Sequence, residues 1–329
     1  MGAHPVPRDT ALAVAGEGAV DDIEVDTGPE TRSWRLDADA HGQRLDKVLA
    51  GLVTEFSRSH LQSLLAAGEV LLDGVQSTVA SRKVKAGQQL AITLVPPAEA
   101  RAFTPQAMAL DVVYEDAHML VIHKPAGLVV HPAAGNWSGT LLNGLLARDA
   151  NAARLPRAGI VHRLDKDTSG LMVVGRSLEA VTALVRDMAA RDIKRRYLAL
   201  AHGDVGGKPF TIDAPVGRDT VTRVRMAVTP SGKPARTDVF PIAFSQGVSA
   251  VRCELHTGRT HQIRVHLASR GHVLVADAVY GGKPALGMQR QALHAAELAL
   301  AHPVTREPLA FEAQPPEDFA KAWSAVVSA

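Results

Sequence analysis

Between residues 42 and 95 the apolar positions follow first a helical and then a strand-like spacing. Leu45, Val48, Leu49, Leu52, Val53 and Phe56 recur at i, i+3, i+4, i+7, i+8 and i+11, which predicts one amphipathic helix. Ser57 is placed to cap a second helix carrying Leu61, Leu64 and Leu65 on one side, closed by Gly68. Val70-Leu71-Leu72 ahead of Asp73-Gly74 reads as a strand entering a tight turn. After a proline-containing connector, short apolar runs dominate: Val112–Tyr114, Leu120–Ile122, Leu128–Val130, Leu171–Val174, Tyr197–Ala201 and Val251–Leu255. Helical spacing returns at Val181, Leu184, Val185 and Met188, and a further helix is expected over His261–Ser269. Strands without regular helix alternation predict an α+β fold with a central mixed or antiparallel sheet, not a doubly wound one.

The resulting division is a mobile acidic tail over 1–40, a small module over 41–96, a linker over 97–107 and a larger domain over 108–325. A chain of 329 residues that is 46% hydrophobic has ample material for packed cores, and a charged fraction of 21% excludes wholesale disorder. No apolar run approaches the ~18 residues a membrane span requires. The N-terminus lacks the basic-then-apolar layout of a signal peptide, so the expected compartment is the cytoplasm. The single cysteine, Cys253, rules out an intrachain disulfide and a multi-cysteine zinc site.

The net charge of +2 conceals an asymmetry. Residues 1–30 hold seven acids and one base, so the remaining chain carries +8. Residues 191–236 concentrate ten Lys or Arg against four Asp. Such a stretch is either a solvated face or a surface that neutralises phosphates and releases counterions.

The densest polar segment runs from Gly159 to Gly170, directly before Leu171-Met172-Val173-Val174. Two acids, three bases and two hydroxyls are costly in a core strand, and polarity alone favours a surface loop full of turn residues. "HRLDKDTSGLMVV" resembles the catalytic motif of the RluA-type pseudouridine synthases. The likeness continues at "LDVVYEDAHMLVIHKPAGLVVHP", "KRRYLAL", "TGRTHQIRVHLA" and "DAVYGG", in that family's order. "GQRLDKVLAGL" and "SRSHLQSLLAAGEVLLDG" resemble the S4 RNA-binding domain.

The resemblance implies a pseudouridine synthase fold beside an S4-like module, and isomerisation of uridine to pseudouridine. Its partner would be 23S (large-subunit) ribosomal RNA or a pre-ribosomal particle, met by a monomer and away from membranes. The family's catalytic aspartate falls on Asp165, its base-stacking tyrosine on Tyr197 and its basic partner on Arg264. Arg163 matches the residue that helps extrude the uridine. Further RNA contacts are expected from His162, Arg44, Lys47, Arg58, Lys194, Arg195, Arg196 and Arg259.

The residue types suit the chemistry. A carboxylate can attack C1′ of the ribose or remove the C2′ proton, and either role needs it ionised beside a guanidinium. Tyr197 is a candidate to take the C5 proton, although a phenol with a pKa of about 10 is a poor base and stacking can be its main service. The target base must leave its stack to be reached. No redox step or group donor is involved, so no cofactor and no metal are expected.

Other readings fit less well. Asp165-Lys166-Asp167-Thr168-Ser169 places its threonine one position too early for the nucleophile loop of haloacid-dehalogenase-like phosphatases. His256, His261 and His266, spaced by five, fall on different helix faces and contain no HExxH. The alternative from another class is a non-catalytic S4-type ribosome assembly factor.

Overall fold

The computed structural model describes residues 30–95, 102–133, 135–222 and 225–328, and the chain divides after Pro97 into two units. In the first unit β1 (Glu30–Arg35), α1 (Leu45–Leu52), α2 (Arg58–Ala66), β2 (Val70–Leu72), β3 (Val75–Gln76) and β4 (Gln89–Leu94) follow one another. The antiparallel sheet has the order β1-β4-β2-β3. Leu45, Leu49, Leu61 and Leu65 of the two helices pack on Val70, Leu72, Leu90 and Ile92 of the sheet. The Ser57 side chain accepts from His60 N–H, the expected cap, and Gly68 adopts φ +84° past the end of α2.

Two expectations change here. The helical pattern through Phe56 is broken after Leu52, because Val53 leaves helical geometry (φ −123°, ψ 76°) before Ser57 starts α2. The acidic tail does not reach residue 40: Glu30–Arg35 pairs with Leu94–Gln89 as an edge strand, and Leu36 is buried. Residues 1–29 lie outside the described part.

The second unit comprises β5 (Asp111–Glu115), β6 (Met119–Lys124), α3 (Leu141–Arg148), β7 (Ser169–Gly175), α4 (Leu178–Ala190) and β8 (Lys194–His202). It continues with β9 (Phe210–Asp213), β10 (Val216–Arg218), β11 (Met226–Val228), β12 (Arg236–Ser245) and β13 (Val248–Leu255). It ends with α5 (Gln262–Ser269), β14 (Leu293–Ala301), β15 (Pro308–Glu312) and α6 (Glu317–Val327). One sheet orders β5-β6-β7-β14-β8-β13-β12-β9, with β15 paired to β14 and a separate β10-β11 ribbon. Among the described strands only β7 and β14 run parallel, so the sheet is mixed.

Both faces are covered. Leu120, Ile122, Met172 and Val174 meet α3, while Met119, Val121, Leu171 and Val173 meet α4. This is why β6 and β7 read as continuous apolar runs rather than alternating ones. Leu128–Val130, expected as a strand, is not one. Gly127 turns at φ +88°, and the carbonyls of Val129 and Val130 accept from Leu141 and Leu142 N–H at the start of α3. Residues 102–107, assigned to a linker, pack on the second unit: Asn143 Nδ2 donates to the carbonyls of Ala102 and Thr104. The buried Asn143 side chain thereby satisfies backbone that a free linker would leave to water.

Candidate active site

Asp165 sits in the loop entering β7, where that strand meets β14. The approach demands a glycine at 170: its φ is +119°, and a Cβ would lie 2.2 Å from the Ala295 carbonyl oxygen. Lys124 secures the loop from below. Its fully buried Nζ donates to the carbonyls of Pro125, Leu128 and Lys166 at 2.8, 2.9 and 2.9 Å, one acceptor for each proton. Burial pushes this ammonium down to about 8, against the pull of Asp167 and Asp165. Arg290 holds the Asp167 carbonyl at 2.8 Å on the other side.

Arg264 arrives on α5. Gln262 fastens the start of this helix, accepting from Thr257 Oγ1 and Arg259 N–H and donating to the Arg236 carbonyl and Thr237 Oγ1. His266, one turn on, donates from Nε2 to the Ala214 carbonyl. Arg264, between them, is left to face the loop. Its Nε and one terminal nitrogen fork onto Asp277 at 2.7 and 2.8 Å, and the other reaches Asp165 Oδ2 at 3.0 Å. All three side chains are shielded, Asp277 to 1% exposure, Arg264 to 4% and Asp165 to 14%. Burial opposes the guanidinium charge, but the two carboxylates prevail and hold its pKa above the ordinary value. The array is a carboxylate held against a cation whose own orientation is set by a second carboxylate.

His261 begins α5 in the left-handed region (φ 57°), an uncommon state for this residue and a form of strain that gathers at functional sites. Its Nδ1 lies 3.0 Å from the Tyr280 hydroxyl, which itself accepts from Met226 N–H at 3.1 Å. On the other side of the ring, Nε2 lies 3.9 Å from Asp165 Oδ1. Burial lowers the His261 pKa, so the ring is neutral at pH 7.

Asp165, Arg264 and Tyr197 line one cleft of about 920 Å³. Tyr197 is buried in β8, and burial raises its phenol further, so at neutral pH it is protonated. Six arginines line the cleft (Arg157, Arg163, Arg191, Arg195, Arg259 and Arg264) against one acid, Asp165. Such a lining draws a polyanion and steers its approach. Among the described residues no cluster of three or more His, Cys, Asp or Glu has the geometry to hold a metal ion. His256 instead meets Asp238 at 2.6 Å, apart from His261 and His266.

The expected nucleic-acid contacts separate into groups. Arg163 is exposed on the cleft, and Arg259 lines it while donating to the Pro234 carbonyl. Lys194 is exposed, its Nζ 3.3 Å from the Arg191 carbonyl. Lys47 is exposed in the first unit. Arg44 and Arg58 are half-exposed but both grip the fully buried Asp46. Arg44 foremost, with Arg58 and Gln62, holds that carboxyl well below the usual range against the cost of burial.

Two of the expected contact residues are engaged within the fold. Arg196 points to the opposite face of β8 from Tyr197 and is neutralised by Glu297 at 2.8 Å and Glu254 at 3.3 Å. His162 accepts from Val173 N–H at 3.0 Å, serving β7 where β14 no longer pairs with it. Burial, aided by the Arg195 charge, pushes that ring down to about 3, so it is a neutral structural acceptor. Residue-type reasoning also missed Asp277, Lys124, Tyr280 and His261 as parts of the site. Asp277 and Tyr280 both lie in the "DAVYGG" segment, the signal that was available.

The fold and the array are those of an RNA-modifying isomerase: residues 118–269 match the RNA pseudouridylate synthase family, and the chain belongs to it. Over 292 residues it is 48% identical to the ribosomal large subunit pseudouridine synthase D of Neisseria meningitidis serogroup B, covering 84% of this chain and 77% of that protein. The enzyme of the same name from Xanthomonas campestris pv. campestris is 46% identical over 87% of this chain and 90% of its own. Among solved structures, human RNA pseudouridylate synthase domain containing 1 matches with a TM-score of 0.50 at 28% identity, covering 63% of this chain and 84% of that one. Among the described residues no helix is long and apolar enough to cross a membrane.

Proposed function

We propose that this protein isomerises specific uridines to pseudouridine in large-subunit ribosomal RNA, in the stem-loop of helix 69 of the 23S molecule, in the cytoplasm. The observation that carries the reading is the Asp165–Arg264–Asp277 array opening beside Tyr197 into a cleft lined by six arginines. The similarity to enzymes named for the large ribosomal subunit supports the substrate.

In this reading a flipped uridine lays its base on Tyr197 and brings C1′ to Asp165. The carboxylate attacks C1′ or takes the C2′ proton, the N1–C1′ bond breaks, and the freed base turns within the cleft. Carbon–carbon bonding through C5 follows, with loss of the C5 proton. Arg264 stabilises the negative charge of Asp165 before attack and whenever the carboxylate is released. The chemistry calls on no cofactor. The N-terminal unit acts as an S4-like RNA-binding module, presenting Lys47 with the outer faces of Arg44 and Arg58 to phosphates.

Stem-loop RNA labelled with tritium at uridine C5 tests the whole reading, because label reaches water only when C5 bonds to the ribose. Release is expected in the presence of chelator; a protein that binds the stem-loop and releases nothing would be the non-catalytic assembly factor instead. Tyr197→Phe then separates two roles for this residue. Lost turnover with retained binding assigns the C5 proton to the hydroxyl, and retained turnover assigns the ring to stacking alone.

A further inference from the structure

Arg195 is a charge that neither the catalytic array nor the packing of the unit employs. Arg157, Arg163 and Arg191 stand exposed, where water solvates them, and Arg264 is shared between two carboxylates. Arg195 is 8% exposed, its Nε reaches no acceptor, and no hydrogen bond or ion pair joins its guanidinium to any described residue. Its Nε is buried without an acceptor while the rest of the guanidinium faces the cleft, and leaving a buried donor unsatisfied is unfavourable. A fold that keeps such a group holds it for something that arrives later.

Its position says what arrives. Arg195 precedes Tyr197 by two residues on β8, so both project from the same face, about 6.7 Å apart along the strand. The turn before α5 is shaped around the guanidinium: a Cβ on Gly258 would lie 2.8 Å from a terminal nitrogen of Arg195. Both residues line the same cleft as Asp165, whose carboxylate is already committed to Arg264. A neutral uracil carbonyl would leave the charge uncompensated, whereas a phosphate matches both the sign and the fork of a guanidinium.

We infer that Arg195 is a buried phosphate socket, which takes the backbone phosphate flanking the uridine stacked on Tyr197 and draws its counter-ion from the RNA. The inference rests on the proposed function in one respect, that a uridine of an RNA chain enters this cleft. The socket couples flipping to binding, since the phosphate reaches Arg195 only when the nucleotide has entered the cleft.

The test pairs Arg195→Met with stem-loops carrying one neutral methylphosphonate linkage at a time. Arg195→Met should weaken binding about 10- to 100-fold and lower the slope of log affinity against log salt by about 0.7. A neutral linkage flanking the target uridine should weaken wild type by a similar factor and leave the variant unaffected. Equal weakening of both proteins at every linkage would overturn the inference. The free Arg195→Met protein should melt no lower than wild type; a loss of several degrees would make the residue structural and overturn it too. Arg195→Lys should recover part of the affinity, and full recovery would exclude a forked contact. Tritium release by wild type, measured alongside, reports on the proposed function separately. If wild type releases none, inorganic sulfate at constant ionic strength still addresses the socket: it should raise the melting temperature of wild type and not of Arg195→Met. An equal response of the two proteins would refute the socket.

Discussion

Asp165→Asn and Asp277→Asn alter the same ion array by one charge each, yet the structure assigns them opposite consequences. Two carboxylates face one guanidinium, and Asp277 holds it by two hydrogen bonds, at 2.7 and 2.8 Å, against a single one of 3.0 Å to Asp165. Replacing Asp165 leaves a balanced, fully bonded Arg264–Asp277 pair, so the change in stability should stay within about 1 kcal/mol. Replacing Asp277 turns an amide N–H₂ toward the donors of Arg264 and leaves a cation at 4% exposure without its anchor. Breaking a buried pair from one side costs about 3 kcal/mol or more. For a unit the size of 98–329 that is a fall in melting temperature of roughly 6–12 °C.

Activity should order the other way. Asp165→Asn removes the carboxylate proposed to react and should lower tritium release by at least about 10⁴-fold while the stem-loop still binds. Asp277→Asn acts through Arg264 and should leave measurable release at temperatures where it is folded. Thermal unfolding, gel-shift binding and tritium release on the two variants complete the comparison. Substantial release by Asp165→Asn would remove that residue from the centre of the mechanism. Equal destabilisation of the two variants would refute the assignment of Asp277 as the anchor of Arg264.

Three further outcomes are expected. Burial holds His162 at about 3 and His294 at about 4, below the 6.5 of an unfolded chain, so the unfolded state binds more protons below pH 6.5. Their contribution is complete above pH 6.5 and is lost as pH falls toward 4, with a slope approaching about 2.7 kcal/mol per pH unit. Urea unfolding at pH 7, 6 and 5 measures it, and His294→Gln should lower the slope by up to about 1.4 kcal/mol per pH unit; a flat profile would contradict the burial. Gly170→Ala should destabilise by about 3 kcal/mol or more, because its Cβ meets the Ala295 carbonyl in a backbone region closed to alanine. Normal melting of that variant would show that the β7–β14 crossing yields. Deletion of residues 1–97 should weaken stem-loop binding and reduce its salt dependence while tritium release at saturating RNA persists; unchanged affinity would deny the N-terminal unit its RNA-binding role.

Features decided by neighbours along the chain were legible from the sequence alone. The Ser57 cap, the Asp73-Gly74 turn, α4 and the apolar runs of β6 and β7 depend on local propensity and on the period of the side chains, which a linear pattern contains. The mixed sheet was legible as a class. The residues Asp165, Tyr197 and Arg264 were recognised through motif resemblance, since nothing local marks two residues 99 positions apart as partners.

Tertiary structure decided which polar groups are spent on the fold and which are left facing solvent or the cleft. "KRR" at 194–196 is three bases in a row, and the three meet different fates. Lys194 stays in water, Arg196 turns to one face of β8 and is neutralised by acids of β13 and β14, and Arg195 turns to the other and lines the cleft with no ion pair among the described residues. Period two along a strand separates their faces, but only the strands that come to lie alongside determine what each face meets. The same holds for Leu128–Val130, an apolar run whose carbonyls were claimed by the start of α3 before any strand could pair with them. It holds equally for Asp277, one acid among many until α5 brings Arg264 to it. Charge and hydrophobicity are properties of residues; partnership is a property of the packed chain.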